Sequence, residues 1–173
     1  MDIFWNILQI TMPALLVSLT AYYAIKLTYE KELKKQVLDL KHSTKKVITP
    51  IRLQSYERIA LFLERIKPEN IILRNIPHDL NVVQYQSILV SSIRSEFDHN
   101  LSQQVYISSS LWEKTKLAKD ETIKIINLAA GQLTQESTAN DLASRIIELS
   151  VDLNPQPSEA ALEFLKKEIK ELY

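Results

Sequence analysis

Glu96 and His99 are the residues whose spacing comes nearest to a chemical motif. Glu-x-x-His places a carboxylate and an imidazole on one side of a helix, the arrangement that di-iron carboxylate bundles use to hold metal. Such bundles need two of these motifs and two further inward glutamates. The other histidines, His42 and His78, have no glutamate three residues before them. The expected role of His99 is therefore structural or solvent-facing, with Asp98, His99 and Asn100 making local hydrogen bonds. Arg52, Arg58 and Arg65 surround Glu57 and Glu64 in sequence. They form either a recognition surface or a solvated helix face laced with ion pairs, and the second reading is preferred.

Nucleophile chemistry finds no support. The chain has no cysteine, which excludes a disulfide, a thiolate metal site and a cysteine nucleophile. Its single glycine, Gly131, excludes phosphate-cradling loops and the strained turn of serine hydrolases, both of which need several glycines close together. No serine has a glycine-framed turn or an evident histidine partner. No catalytic residue, metal ligand or cofactor site is expected.

The elements that would carry any activity begin with the first helix, Ile3 to Ile25, which contains no charged side chain. At about 1.5 Å per residue it reaches roughly 35 Å, enough to cross a hydrocarbon core of about 30 Å. Asn6, Gln9, Thr11, Ser18, Thr20 and Pro13 interrupt its apolar character. A lone span tolerates such residues when hydroxyls bond back to the helix and the carbonyl freed by proline is re-satisfied locally. Trp5 at one end and Tyr22 and Tyr23 at the other fit interfacial anchors. Before the span the only charged side chain is Asp2, the wrong sign for a signal peptide, so an uncleaved anchor over residues 1–25 is expected.

Residues 26–46 carry seven lysines against three acids, a local charge of +4. Lysine and arginine beside a span hold their side in the cytoplasm, so the amino terminus is expected outside and the long carboxy-terminal part inside. Lys26, Lys31, Lys34 and Lys35 are the candidates for contact with anionic lipid headgroups. Residues 47–173 carry fourteen basic and seventeen acidic side chains, or −3, which argues against nucleic acid as a partner.

No proline or glycine falls between Ala14 and Thr49, so a basic juxtamembrane helix over 26–48 should continue from the anchor. Tyr29, Leu33, Val37, Leu40, Thr44 and Val47 form a narrow apolar stripe along it. Glu30 and Lys34 are spaced for an i,i+4 pair. The stripe either pairs with a partner helix, its own copy included, as a short coiled coil, or packs back on the protein's own domain.

Residues 49–173 read as a helical domain of about four to five helices. Pro50 is expected to end the juxtamembrane helix. An amphipathic helix then runs from Ile51 to Lys67, with Leu53, Tyr56, Ala60, Leu63 and Ile66 inward and Ile59 and Phe62 widening the face. Pro68 to Asn81 is a connector in which Ile71, Ile72 and Leu73 pack as one turn. Val82 to Val105 is the next helix, opened by Asp79 or Asn81, with Tyr85, Leu89, Ile93, Phe97, Leu101 and Val105 stepping by four. Ser110 and Glu113 fit a capping box. The helix they start should bury Trp112, Ile123, Ile126, Ala130 and Leu133, with Gly131 allowing close packing. Leu142, Ile146, Leu149 and Leu153 mark a further helix. After the 154–157 joint, Glu159 to Tyr173 carries Leu162, Leu165, Ile169 and Leu172.

Five segments stand out: Thr49-Pro50-Ile51-Arg52-Leu53-Gln54, Tyr56-Glu57-Arg58, Phe62-Leu63-Glu64-Arg65-Ile66, Glu96-Phe97-Asp98-His99-Asn100-Leu101-Ser102-Gln103-Gln104 and Phe164-Leu165-Lys166-Lys167-Glu168. They resemble a family of uncharacterised membrane-anchored proteins from Bacteroidota. The resemblance covers nearly the whole chain. It implies a bacterial inner-membrane location and brings no catalytic residue or ligand with it.

The resulting expectation is an all-α, non-enzymatic, single-pass inner-membrane protein. It would act as an interaction or scaffold module, or as an accessory subunit of a membrane complex, with lipid and protein as its partners. Tyr29, Leu33, Val37, Leu40 and Val47 are its candidate contact residues, the partner including a second copy. The rival is a membrane-tethered enzyme or small-ligand sensor with a pocket between helices.

Overall fold

A computed structural model describes residues 2–172 apart from 77, 78, 135 and 154, and the side chains of residues 2–10, 14, 41, 42 and 44 lie outside that description. The anchoring role expected of Trp5, the polar interruptions at Asn6 and Gln9 and the place of Thr44 in the stripe therefore fall outside the described side chains. Among the described residues the chain is helical throughout, with no strand. Six α-helices are present: α1 (Asp2–Arg65), α2 (Pro68–Arg74), α3 (Val82–His99), α4 (Ser109–Gly131), α5 (Ala139–Val151) and α6 (Pro157–Leu172). A 3-10 turn, Leu101–Val105, joins α3 to α4.

Pro50 does not end a helix. Helix α1 runs through it to Arg65, 64 residues in all. A proline in a helix removes one amide donor and strands the carbonyl four residues earlier. Both Pro50 and Lys46 are exposed, so water can reach that carbonyl. The chain nevertheless divides at this place into two compact units, residues 1–49 and 50–173.

In the first unit the described side chains are exposed apart from a half-buried Thr49 at its end. Met12, Leu15, Leu16, Val17, Leu19, Tyr22, Tyr23 and Ile25 are all solvent-accessible, from 47% for Leu19 to 69% for Ile25. Thr20 and Thr28 turn their hydroxyls back to the carbonyls of Val17 and Ala24, at 2.9 and 2.8 Å. Among the described residues no helix is long and apolar enough to cross a membrane. Glu30 and Lys34 do not form the ion pair their spacing suggested among those residues.

The second unit has a dense core. Tyr56, Ile59, Phe62 and Leu63 from the end of α1, and Ile66 just after it, are fully buried, whereas Leu53, expected inward, is 41% exposed. Helix α4 packs against α3, α5 and α6, and α5 also meets α2 and α3. The Phe97 ring stacks on Trp112 at 5.1 Å and leans on Phe62 at 5.7 Å, tying α3 to α4 and α1. Edge and offset ring contacts of this kind add to simple area burial. Thr115 and Thr122 lie in the core of α4 and return their hydroxyls to the carbonyls of Leu111 and Ala118, so neither donor is stranded. The Tyr85 hydroxyl is buried without a partner among the described residues.

Several local expectations need correction. Residues 68–74 form a true helix, with Pro68 at its first turn and Ile71 buried but Leu73 exposed. The helix from Val82 stops at His99, and Leu101 and Val105 lie in the 3-10 turn with exposed side chains. Asn81, not Asp79, caps α3 through a reciprocal pair with Gln84. Asp79 instead takes a left-handed backbone, φ 49°, which aspartate tolerates better than most residues. Helix α5 opens on a second reciprocal cap, Thr138 with Asp141. The backbones of Asn81 and Thr138 form an isolated antiparallel bridge, which joins the two caps. A Cβ added to Gly131 would meet nothing within 4 Å, so close packing is not what this glycine serves.

Candidate functional site

Two polar constellations hold the second unit together, and the sequence pointed to only part of each. The first is built on Glu168, at the middle of α6. Its Oε1 accepts the Tyr56 hydroxyl at 2.5 Å and the Ser108 amide at 3.4 Å. Its Oε2 accepts the Ser108 hydroxyl at 2.5 Å. Ser108 is the true N-cap of α4, its Oγ accepting the Leu111 amide at 3.1 Å. The Ser110–Glu113 box does not form, and Glu113 pairs with Lys116 instead. A capping box normally supplies a Glu or Gln three residues past the cap to hold the cap's own amide. Here that position is Leu111, buried in the core, and Glu168 from another helix supplies the carboxylate.

Arg52 closes the cluster from α1. Its Nε donates to the Tyr106 carbonyl at 3.1 Å and its Nη2 to the Tyr56 hydroxyl at 3.4 Å. Burial pushes the Tyr56 phenol up to about 12, and the hydrogen bond and charge of Glu168 add to this. A concavity of about 340 Å³ opens beside the cluster, bordered by Arg52, Phe164 and Lys167. The chemistry available there is limited. Ser108 Oγ is already both cap acceptor and donor to a carboxylate, and no imidazole stands by to take its proton. The cluster is a clasp between α1, α4 and α6.

The second constellation answers the Glu-x-x-His spacing. Glu96 is engaged by two arginines. Its Oε1 accepts Arg65 at 2.6 Å and its Oε2 accepts Arg74 at 3.4 Å. Burial alone would push this carboxyl up, but the hydrogen bond and charge of Arg65, joined by Arg74, hold it below the ordinary carboxylate range. His99 Nδ1 lies 2.6 Å from the Ser95 carbonyl one turn back. Asn100 is buried and donates to the Glu96 carbonyl at 2.8 Å. Among the described residues no group of three or more metal-ligating side chains gathers. Of the arginine series, Arg65 and Arg52 thus reach partners on other elements, and Glu64 pairs with Lys67.

The expected contact stripe lies in the first unit. Tyr29, Leu33, Val37, Leu40 and Val47 are all exposed, from 44% for Leu33 to 66% for Leu40. Lys26, Lys31, Lys34 and Lys35 are exposed on the same helix. Glu168 closes one of the segments that carry the family resemblance, but no local spacing marked it as a cap partner. Its neighbours Leu165 and Ile169 fit an ordinary amphipathic helix, and its partners lie 60 and 112 residues away.

An all-helical bundle preceded by an uncovered helix, with Glu168, Ser108 and Glu96 committed to structural partners, defines a structural class rather than a chemistry. Within that class, the chain belongs to a family of unknown function, DUF7935, whose model matches residues 2–172. Comparison with the curated proteins and with the solved structures finds no match.

Proposed function

We propose that this chain is a membrane-anchored, non-enzymatic interaction module, a scaffold or accessory subunit of a bacterial inner-membrane assembly. In this reading residues 1–25 span the bilayer with the amino terminus outside. Residues 26–48 form a basic juxtamembrane helix whose lysines meet lipid headgroups, and the helical domain lies in the cytoplasm. The observation that carries the reading is the exposure of apolar side chains on every side of α1 from Met12 to Ile25. A surface of that extent is unfavourable in water and calls for lipid or protein around it. Residues 3–10 add Ile3, Phe4, Trp5, Ile7, Leu8 and Ile10 to the same uncharged stretch of sequence. The hydroxyl of Thr20, bonded back into its own helix, suits hydrocarbon surroundings.

The non-enzymatic part of the reading is supported by the way Glu168, Ser108, Glu96 and His99 are spent on structural partners. The test is topological. A reporter active only outside the inner membrane, fused after Tyr173, should stay silent, and alkaline carbonate should leave the protein in the membrane pellet. Strong reporter activity refutes the orientation, and release by carbonate refutes the anchor.

A further inference from the structure

We infer that the exposed stripe of α1 between Leu33 and Val47 pairs with the same stripe of a second copy of this chain, as a parallel two-stranded coiled coil. The parallel sense rests on the membrane-anchor reading, since two chains anchored in one orientation leave the bilayer side by side.

The register makes the case. With Leu33, Leu40 and Val47 at the d positions of a heptad, Val37 and Thr44 fall at a. Valine at a with leucine at d favours two strands over three or four. Upstream, the next d and a positions are Lys26 and Glu30, and downstream Pro50 follows, so the seam covers about two heptads. Lys41 and Thr44 enter by register alone, because their side chains lie outside the described residues.

The flanking positions select a self-pair. Lys34, Lys41 and Ile48 stand at e, and Tyr29, Gln36 and Ser43 at g. In a parallel pair g of one strand meets e of the next heptad on the other. Tyr29 would then meet Lys34, Gln36 would meet Lys41, and Ser43 would meet Ile48. Among these flanking pairs no like charges face each other. An antiparallel pair centred on Leu40 would set Lys41 against its own copy. A seam this short is marginal in free solution, where isolated helices need roughly 12–15 residues even with good propensity. Confinement to one membrane raises the effective concentration and makes a weak seam sufficient.

The absence of cysteine makes the test clean. Single variants Leu33→Cys, Val37→Cys and Leu40→Cys, and the outward controls Leu38→Cys and Lys45→Cys, are oxidised in native membranes. The seam positions should crosslink to a dimer about tenfold more than the controls. Native mass spectrometry of the gently extracted protein should read two copies. Adding Leu33→Glu and Leu40→Glu to Val37→Cys should lower its crosslinking about tenfold while helix content is unchanged. Equal crosslinking at all five positions, none at any, or a trimeric mass overturns the coil. Those outcomes leave the anchor standing if carbonate fails to extract the protein. Release by carbonate refutes the anchor whatever the crosslinks show, and the crosslinking pattern still decides the coil.

Discussion

The Tyr56 hydroxyl on α1 donates to Glu168 Oε1 on α6 at 2.5 Å, across 112 residues of chain. Because the same carboxylate holds the Ser108 hydroxyl and amide at the start of α4, one side chain fastens three helices. Removing it strands the donors it now satisfies. Glu168→Ala is expected to cost about 1.5–3 kcal/mol, the range for hydrogen bonds to a charged group. Glu163→Ala, an exposed acid on the same helix, should stay within about 0.5 kcal/mol. Urea denaturation of both variants measures the difference.

The alkaline limb of stability should carry the signature of Tyr56. Its phenol is pushed from 10.0 up to about 12, so the folded state holds the proton more tightly than the unfolded chain. The contribution is complete below pH 10.0 and is lost as pH rises toward about 12. Tyr56→Phe should make the decline shallower in thermal melts across that window. A residual decline is expected, because burial raises the Tyr85 phenol in the same sense.

Acid acts through Glu96. Its carboxyl lies below the ordinary value of 4.5 in the fold, so its contribution is present above that value and is lost as pH falls through the lower folded value. Glu96→Gln should flatten this part of the acid limb. Arg65→Gln should do the same by removing the strongest partner. Melting temperature against pH reads both, and unchanged acid slopes would show that the pairs contribute nothing.

Gly131 is the last residue of α4, its backbone is not left-handed, and a Cβ there meets open space. Gly131→Ala should therefore stabilise the domain by about 0.4–1 kcal/mol, chiefly by narrowing the unfolded ensemble. A loss of stability in differential scanning calorimetry would contradict the packing described at that helix end.

The all-helical class was legible from one glycine and repeated three-or-four spacing, and buried positions such as Tyr85, Leu89, Ile93 and Phe97 followed that spacing. The stepping then over-reached. Leu101 and Val105 continue the pattern in sequence, yet Asn100 caps α3 and its side chain returns to the Glu96 carbonyl. Helix starts were misjudged where a cap depended on distant chain. Ser110-x-x-Glu113 has the right local letters, but Ser108 wins because Glu168 reaches it from α6. A motif search confined to neighbouring residues cannot find a box completed across 60 positions. Pro50 misled for the opposite reason. Its local preference against helix is real, but an exposed proline with a hydrated carbonyl upstream is tolerated in a helix whose other positions are sound.

The bridge between Asn81 and Thr138 sets the first turns of α3 and α5 side by side. Peptide dipoles add along each helix, so the partial positive poles of both gather at one place and repel. Helix α3 has no acid in its first turn, whereas α5 has Asp141. The Thr138 amide and hydroxyl hold the Asp141 carboxyl below its ordinary range, which favours its negative charge at the paired poles. One aspartate thereby offsets the field of two helices, and its position matters to the helix it does not belong to as well as to its own.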